Sequence, residues 1–211
     1  MRAPSSDREI ELKLLVEPAR LDDLAELLCA NVKAFAAPRS RRLESHYFDT
    51  ADRRLRARGA SLRVRRTGDN FVQTVKTRSE DSGAHSVRGE WECPVAGPVP
   101  ELDAVADPAA LERLGMVLPE ELEQVFVTEV ERRLVLVEQA VPGAGSSIIE
   151  VAFDRGAVVA DGMGTARPDG KAPRARAAKA RSEPIAEVEL ELKAGSPRGL
   201  YLLLAEMRPW A

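Results

Sequence analysis

Residues 187 to 193, Glu-Val-Glu-Leu-Glu-Leu-Lys, constrain this chain more than any other stretch. Glu187, Glu189 and Glu191 fall on one parity, and Val188, Leu190 and Leu192 on the other. A period of two is the signature of a strand, whereas helical spacing would mix the two sets. Near the other end of the chain, Glu9-Ile10-Glu11-Leu12-Lys13 has the same form, with two carboxylates and an ammonium on one face and Ile10, Leu12 and Leu14 on the other. Seen alone, either stretch reads as a strand with one solvated face. The recurrence of the pattern along the chain calls for another explanation.

It recurs in five more places. Ser61 to Arg66 sets Arg63 and Arg65 against Leu62 and Val64. Phe71 to Lys76 follows the short polar turn Gly68-Asp69-Asn70, which marks a hairpin. Arg88 to Val95 puts Arg88, Glu90 and Glu92 opposite Trp91 and Cys93. Val125 to Val137 reads as one strand or a bent pair, with Thr128, Val130 and Arg132 opposite Glu129, Glu131 and Arg133. Ile148 to Asp154 places Glu150 and Asp154 on one face, and residues 41–49 give a further strand.

Helical signals are fewer. Pro18 to Ala30 is amphipathic, with Leu21, Leu24, Leu27 and Leu28 as its apolar stripe. Asp49 to Asp52 resembles a helix cap, and Gly59 closes that segment. Pro98 to Gln124 is expected to be helical with breaks at Pro108, Gly115 and Pro119. Ser196-Pro197 opens a closing helix whose stripe is Leu200, Leu203 and Leu204. The segment 161–184 differs in kind. It is rich in Ala, Gly and Pro, holds Arg167, Lys171, Arg174, Arg176, Lys179 and Arg181, and reads as a disordered basic loop or lid.

Composition narrows the class. The 211 residues suit a single domain spanning 1–211. Charged residues make up 31%, above the usual quarter, yet the net charge is only −3. The excess is therefore of both signs, which excludes a basic nucleic-acid surface, and 4% aromatics excludes a base-stacking platform. Cys29 and Cys93 are expected to be small core residues in a reduced cytosol. His46 and His85 are too few for a zinc site and are expected to be structural or solvated. No stretch has the length or apolarity of a membrane span or signal peptide, so a cytoplasmic location with no membrane or nucleic-acid partner is expected. Oligomeric state, monomer or homodimer, stays open.

So many charged strand faces, with so few helices to pack on, point to a closed barrel. Its apolar exterior would be covered by helices and its lumen lined with charge. Charges gathered in a lumen need neutralising. Clustered Arg and Lys match a polyanion such as phosphate. Clustered Glu and Asp without thiolate or imidazole match a hard divalent cation such as Mg2+ or Mn2+. A polyphosphate–metal complex meets both demands.

The motifs carry a resemblance. Glu-x-Glu-x-Lys at 9–13, Tyr47-Phe48-Asp49-Thr50, Leu62-Arg63-Val64-Arg65, Lys76, Arg88-Gly89-Glu90-Trp91 and Glu187-Val188-Glu189 resemble, in order, the CYTH superfamily of triphosphate tunnel metalloenzymes. The segment 149–156 and the run 183–193 are most similar to the bacterial inorganic triphosphatase branch, whose members often carry a second, helical domain after the tunnel domain. The resemblance implies an α+β, mainly β fold: a closed eight-stranded antiparallel barrel with helices outside. It implies that Arg63, Arg65, Lys76, Arg88 and Arg132 grip a small-molecule triphosphate, with Lys13 and Arg65 in the catalytic roles. It implies that Glu9, Glu11, Asp154, Glu187 and Glu189, with Glu90 contributing, hold Mg2+ or Mn2+. Lys13 would orient or deprotonate the attacking water. Hydrolysis of inorganic triphosphate is the expected activity. The alternatives are an organic triphosphate (thiamine triphosphate, or ATP hydrolysed or cyclised) and polyphosphate binding without turnover. Arg66 and Arg133 are read as outward neighbours of the lumen residues, Glu191 as a rim charge, Glu92 as a lumen residue or a partner for a tunnel arginine, and Trp91 as an anchor for the outer helices.

Overall fold

A computed structural model of the chain describes residues 9–32, 37–77, 80–81, 86–160 and 181–208; of 80–81 and 86–88 it describes the backbone. The alternating stretches are all strands: β1 Glu9–Leu15, β2 Arg39–Thr50, β3 Ala60–Thr67, β4 Asn70–Thr77, β5 Glu80–Asp81, β6 Ser86–Arg88, β7 Glu90–Val95, β8 Leu122–Val141, β9 Gly145–Ala160 and β10 Arg181–Ala194. Four α-helices join them: α1 Leu21–Asn31, α2 Arg54–Ala57, α3 Pro108–Leu114 and α4 Arg198–Met207. The fold is α+β and mainly β.

All the strands belong to one antiparallel sheet of order β5-β6-β1-β10-β9-β8-β2-β3-β4-β7. Setting aside the two-residue β5 and counting β6 and β7 as one run broken at Gly89 leaves the eight strands expected. The closed ladder is not seen, because the hydrogen-bonded order is linear. Its physical cause lies in the run from Ser86 to Val95. The β6 half pairs with β1, Glu9 opposite Arg88, while the β7 half pairs with β4, Lys76 opposite Glu90. Gly89 interrupts the ladder between them. A Cβ at Gly89 would lie 2.6 Å from the Trp91 indole, so only glycine lets the ring fold back there. The sheet nevertheless curls until β1 and β4 face each other: the Lys76 ammonium on β4 lies 2.9 Å from a Glu9 oxygen on β1.

Apolar residues of one parity collect on the convex side in two clusters. Leu12, Val135, Val137, Ile149, Val151, Phe153, Val188 and Leu190 pack under Leu21, Leu24 and Leu28 of α1 and Leu200, Leu203 and Met207 of α4. Phe48, Leu62, Val64 and Val75 pack with Leu55, Val105, Ala110 and Leu114, and Trp91 and Cys93 lean on this second cluster. Trp91 is the anchor expected of it, and Cys29 packs against the first cluster. Fully burying each such aliphatic side chain stabilises the fold by roughly 1.5–3 kcal/mol. Leu27 departs from its expected place, at 36% exposure on the rim of the α1 stripe.

Several boundaries differ from the pattern reading. Pro98 to Gln124 is only partly helical: it contains α3, two short 3-10 turns and the first residues of β8. Its prolines each restart the chain, so none of the pieces lengthens. Val125 to Val137 is the middle of a single 20-residue strand. Residues 181–184 belong to β10, and the rest of the expected basic loop lies outside the described residues, as does His85. The Asp49 cap is real but reaches further than proposed. Its carboxylate accepts from the backbone N–H groups of Leu55 and Arg56, and Thr50 Oγ1 accepts from Arg54 N–H, so the pair caps α2 from the end of β2.

Candidate active site

Strand parity settles which side chains can meet. Arg133 reaches Cys29 on α1 and Arg66 reaches the Gly68 carbonyl, so both point outward as expected. Their neighbours Arg132 and Arg65 therefore share the concave face with Arg63. Register brings the rest into rows: Lys13 opposite Glu189, Glu187 opposite Asp154, and Asp154 opposite Arg132.

On β1, β8, β9 and β10 these charges form one network. Arg132 donates to both oxygens of Asp154, at 2.7 and 2.5 Å, and to Glu189 at 2.5 Å. Lys13 lies 2.7 Å from Glu189 and 3.0 Å from Glu187. Burial alone would raise the Glu189 carboxyl, but Arg132 and Lys13 hold it down at about 2. Burial would lower the Lys13 ammonium, yet Glu189 and Glu187 overrule it and push Lys13 well above the usual lysine range. Arg132 is raised in the same way, by Asp154 and Glu189 against its burial. Lys13 is placed to donate hydrogen bonds to both carboxylates.

Opposite this network, β3 and β4 carry a different arrangement. Arg63 is 7% exposed; it donates to Thr74 Oγ1 at 3.0 Å, and its Nε has no hydrogen-bond partner among the described residues. Glu90 and Glu92 approach it only to 3.8 Å. Arg65 donates to Ser45 Oγ at 3.1 Å. Burial, with Arg63 and Arg132 nearby, pushes the Arg65 guanidinium down to about 9. Two neighbouring guanidiniums, one buried and one half-buried, hydrogen-bond to hydroxyls while the nearest carboxylates stand off from Arg63 at 3.8 Å, an arrangement that suits an anion with several oxygens.

Lys76 stands between the two, 2.9 Å from Glu9 and 3.0 Å from Glu90. Burial lifts the Glu90 carboxyl against the pull of Lys76, and Glu9 beside it adds to the rise. Of the six carboxylates expected to bind metal, Asp154, Glu187 and Glu189 each offer an oxygen within 4.8 Å of the others. Glu9 and Glu90 meet on Lys76 instead, and Glu11 is buried on the same face. Glu191 and Glu150 gather around Lys193, at 2.6 and 3.6 Å, which makes Glu191 a rim charge, as read from the sequence. The Arg88 backbone pairs with Glu9, and its side chain lies outside the described residues. His46 bridges Gln124 and Glu44, a structural place.

Ser45 and Thr74 went unnoticed in the sequence, although both share parity with the site arginines and each orients one. A small hydroxyl residue at an inward position, opposite an arginine, was the available signal. Phe126 also went unnoticed; its ring stacks on that of Tyr47, a residue of the Tyr47-Phe48-Asp49-Thr50 motif, with centroids 4.4 Å apart.

A curled antiparallel sheet with helices outside and both signs of charge inside defines the class of fold: a mainly β protein with a charged concave face. The match to a family model, CYTH domain, spans residues 7–208, and the chain belongs to that family. It is 28% identical over 195 residues to an inorganic triphosphatase of Haemophilus influenzae, covering 92% of this chain and 47% of that protein. The chain therefore spans about half the length of this curated relative. Its fold is similar to a Hippeastrum adenylyl-cyclase candidate whose dominant activity is that of a triphosphatase, at TM-score 0.53 and 19% identity over 94% of this chain and 85% of that one. It is also similar to a Pyrococcus horikoshii protein, at TM-score 0.52 and 17% identity over 96% and 90% of the two chains. Among the described residues, no helix is long and apolar enough to cross a membrane.

Proposed function

We propose that the chain hydrolyses inorganic triphosphate to pyrophosphate and phosphate with the help of Mg2+ or Mn2+. The observation that carries this reading is the pair Arg63, buried, and Arg65, half-buried: two residues apart on one strand face, hydroxyl-bound and without a carboxylate in hydrogen-bond range among the described residues. Family membership and the inorganic triphosphatase relative support the same reading. Arg63, Arg65, Lys76, Arg88 and Arg132 grip the phosphate oxygens. We read the curled sheet as a tunnel closed across Gly89 once substrate is bound.

The three-carboxylate cluster suits a hard cation, since it offers oxygen donors alone. Asp154, Glu187 and Glu189 would hold the ion, with Glu9, Glu11 and Glu90 joining from the neighbouring wall. A divalent ion there supplies neutralisation of the phosphate charge. Lys13 donates a hydrogen bond that orients the attacking water. The water oxygen bonds to a terminal phosphorus, the bridging P–O bond breaks, pyrophosphate leaves with that oxygen and its electron pair, and the proton of the water passes to a phosphate oxygen. Positioning and charge neutralisation supply most of the rate.

Phosphate release from inorganic triphosphate, thiamine triphosphate and ATP, each with Mg2+ or Mn2+, tests the proposal. Release from inorganic triphosphate well above the other two is expected. Absence of release from it with either metal overturns the reading, and tight binding without release identifies a non-catalytic polyphosphate binder. Mutual stacking of Tyr47 with Phe126, the aromatic pair nearest Arg63 in register, favours the inorganic substrate.

A further inference from the structure

The carboxylates that fit a metal are already in contact with cations. Asp154 is held by Arg132, Glu189 by both Arg132 and Lys13, and Glu187 by Lys13. Each of the three is thus contacted by one of two monovalent cations, whose summed charge equals that of a single divalent ion. A divalent ion and these two side chains cannot share the same oxygens at contact distance, because like charges a few ångströms apart in a buried site repel strongly.

The opposite wall differs. Arg63 and Arg65 make no carboxylate hydrogen bond among the described residues, and by strand parity they share the concave face with Arg132. An anion landing on Arg63 and Arg65 therefore presents oxygens beside Arg132. It competes with Asp154 and Glu189 for that guanidinium, and a phosphate offers the same bidentate geometry as a carboxylate.

We infer that Arg132 is a positioning residue that couples the two ligands: in the ligand-free protein it and Lys13 occlude the Asp154–Glu187–Glu189 cluster, and a bound polyphosphate draws Arg132 away and opens the cluster to a divalent cation. The inference rests on the triphosphate reading for the identity of the anion, and on the ion-pair geometry alone for the occlusion. Metal alone then binds weakly, and metal and polyphosphate each tighten the other by the same factor, as linkage requires.

Mn2+ binding, followed by calorimetry and by the electron paramagnetic resonance signal of free Mn2+, provides a readout independent of turnover. With the wild-type chain, imidotriphosphate is expected to tighten Mn2+ binding by about tenfold or more. Arg132→Gln is expected to tighten binding of Mn2+ alone by a similar factor and to shrink the enhancement by imidotriphosphate, whereas Arg132→Lys should retain more of the wild-type coupling. Because Arg132→Gln leaves Asp154 buried beside fewer cations, its fold is checked by circular dichroism. If it does not fold, Lys13→Gln, at the more exposed member of the network, carries the test and should also tighten Mn2+ alone. Unchanged or weakened Mn2+ affinity in the folded variant overturns the inference. Should imidotriphosphate fail to bind while Arg132→Gln still tightens Mn2+, the occlusion stands and the triphosphate reading falls.

Discussion

On β3, Arg63 and Arg65 hydrogen-bond to hydroxyls, whereas on β8 Arg132 is clamped by two carboxylates. All three guanidiniums face the same interior, yet they stand in opposite energetic positions. Around Arg132, every charge has a partner, so desolvation is offset by Coulomb attraction and hydrogen bonds. Around Arg63 and Arg65, desolvation is offset only in part, and the remaining imbalance is what an anion relieves. The first wall is paired charge to charge, whereas on the second the nearest carboxylates stand off at 3.8 Å from Arg63. Natural proteins place such imbalance at functional sites, where it lowers stability and serves recognition.

The comparison can be broken by substitution, and the largest effect is expected at Glu189, which touches both cations of the paired wall. Glu189→Gln leaves Arg132 and Lys13 underpartnered, and breaking a buried pair from one side costs about 3 kcal/mol or more. Its thermal midpoint should fall clearly, and phosphate release should drop on the order of 100-fold. A midpoint equal to wild type would show that the network contributes nothing to folding.

Arg65→Met sharpens the contrast by moving stability and activity in opposite directions. Removing a buried cation that lacks a carboxylate should leave stability unchanged or raise it by about 1 kcal/mol, while triphosphate affinity and turnover both fall on the order of 100-fold. Denaturant melts beside steady-state kinetics decide this, and a loss of stability as large as that of Glu189→Gln would erase the distinction between the walls. A smaller effect is expected of Lys13→Ala, which should lower kcat by about tenfold or more with little change in KM, because its ammonium orients water and does not hold the substrate. An unchanged kcat removes that role. Least of all is expected at Glu92, half exposed and 3.8 Å from Arg63. Glu92→Ala should shift stability by about 0.5 kcal/mol or less, measured in the same melts.

Much of this could be read before any coordinates. The alternation in Glu9–Lys13 and Glu187–Lys193 placed both strands and named the residues on their inner faces, since a strand has only two sides to offer. Arg65 over Arg66, and Arg132 over Arg133, followed from parity alone, and Cys29 and Gly68 now mark where the outward pair ends. Local pattern failed between Pro98 and Gln124, where prolines and short apolar runs permit several conformations and packing onto the second core selects among them. It also failed at Gly89, which looked like an ordinary residue inside one strand. There the run changes partner from β1 to β4, and no local pattern reports which strand a residue will pair with.

The sequence by itself determined which side chains face inward and what chemistry they bring, because side-chain direction in a strand is a property of the backbone. Tertiary structure alone decided which of those charges pair. Asp154, Glu187 and Glu189 converge while Glu9 and Glu90 turn to Lys76, since curvature and register across seven strands set distances that no single strand encodes. The same curvature leaves Arg63 and Arg65 facing each other's charge and gives Arg132 its two carboxylates. Identical residue types at identical parity were given carboxylate partners in one case and hydroxyl partners in the other by where the sheet carried their neighbours.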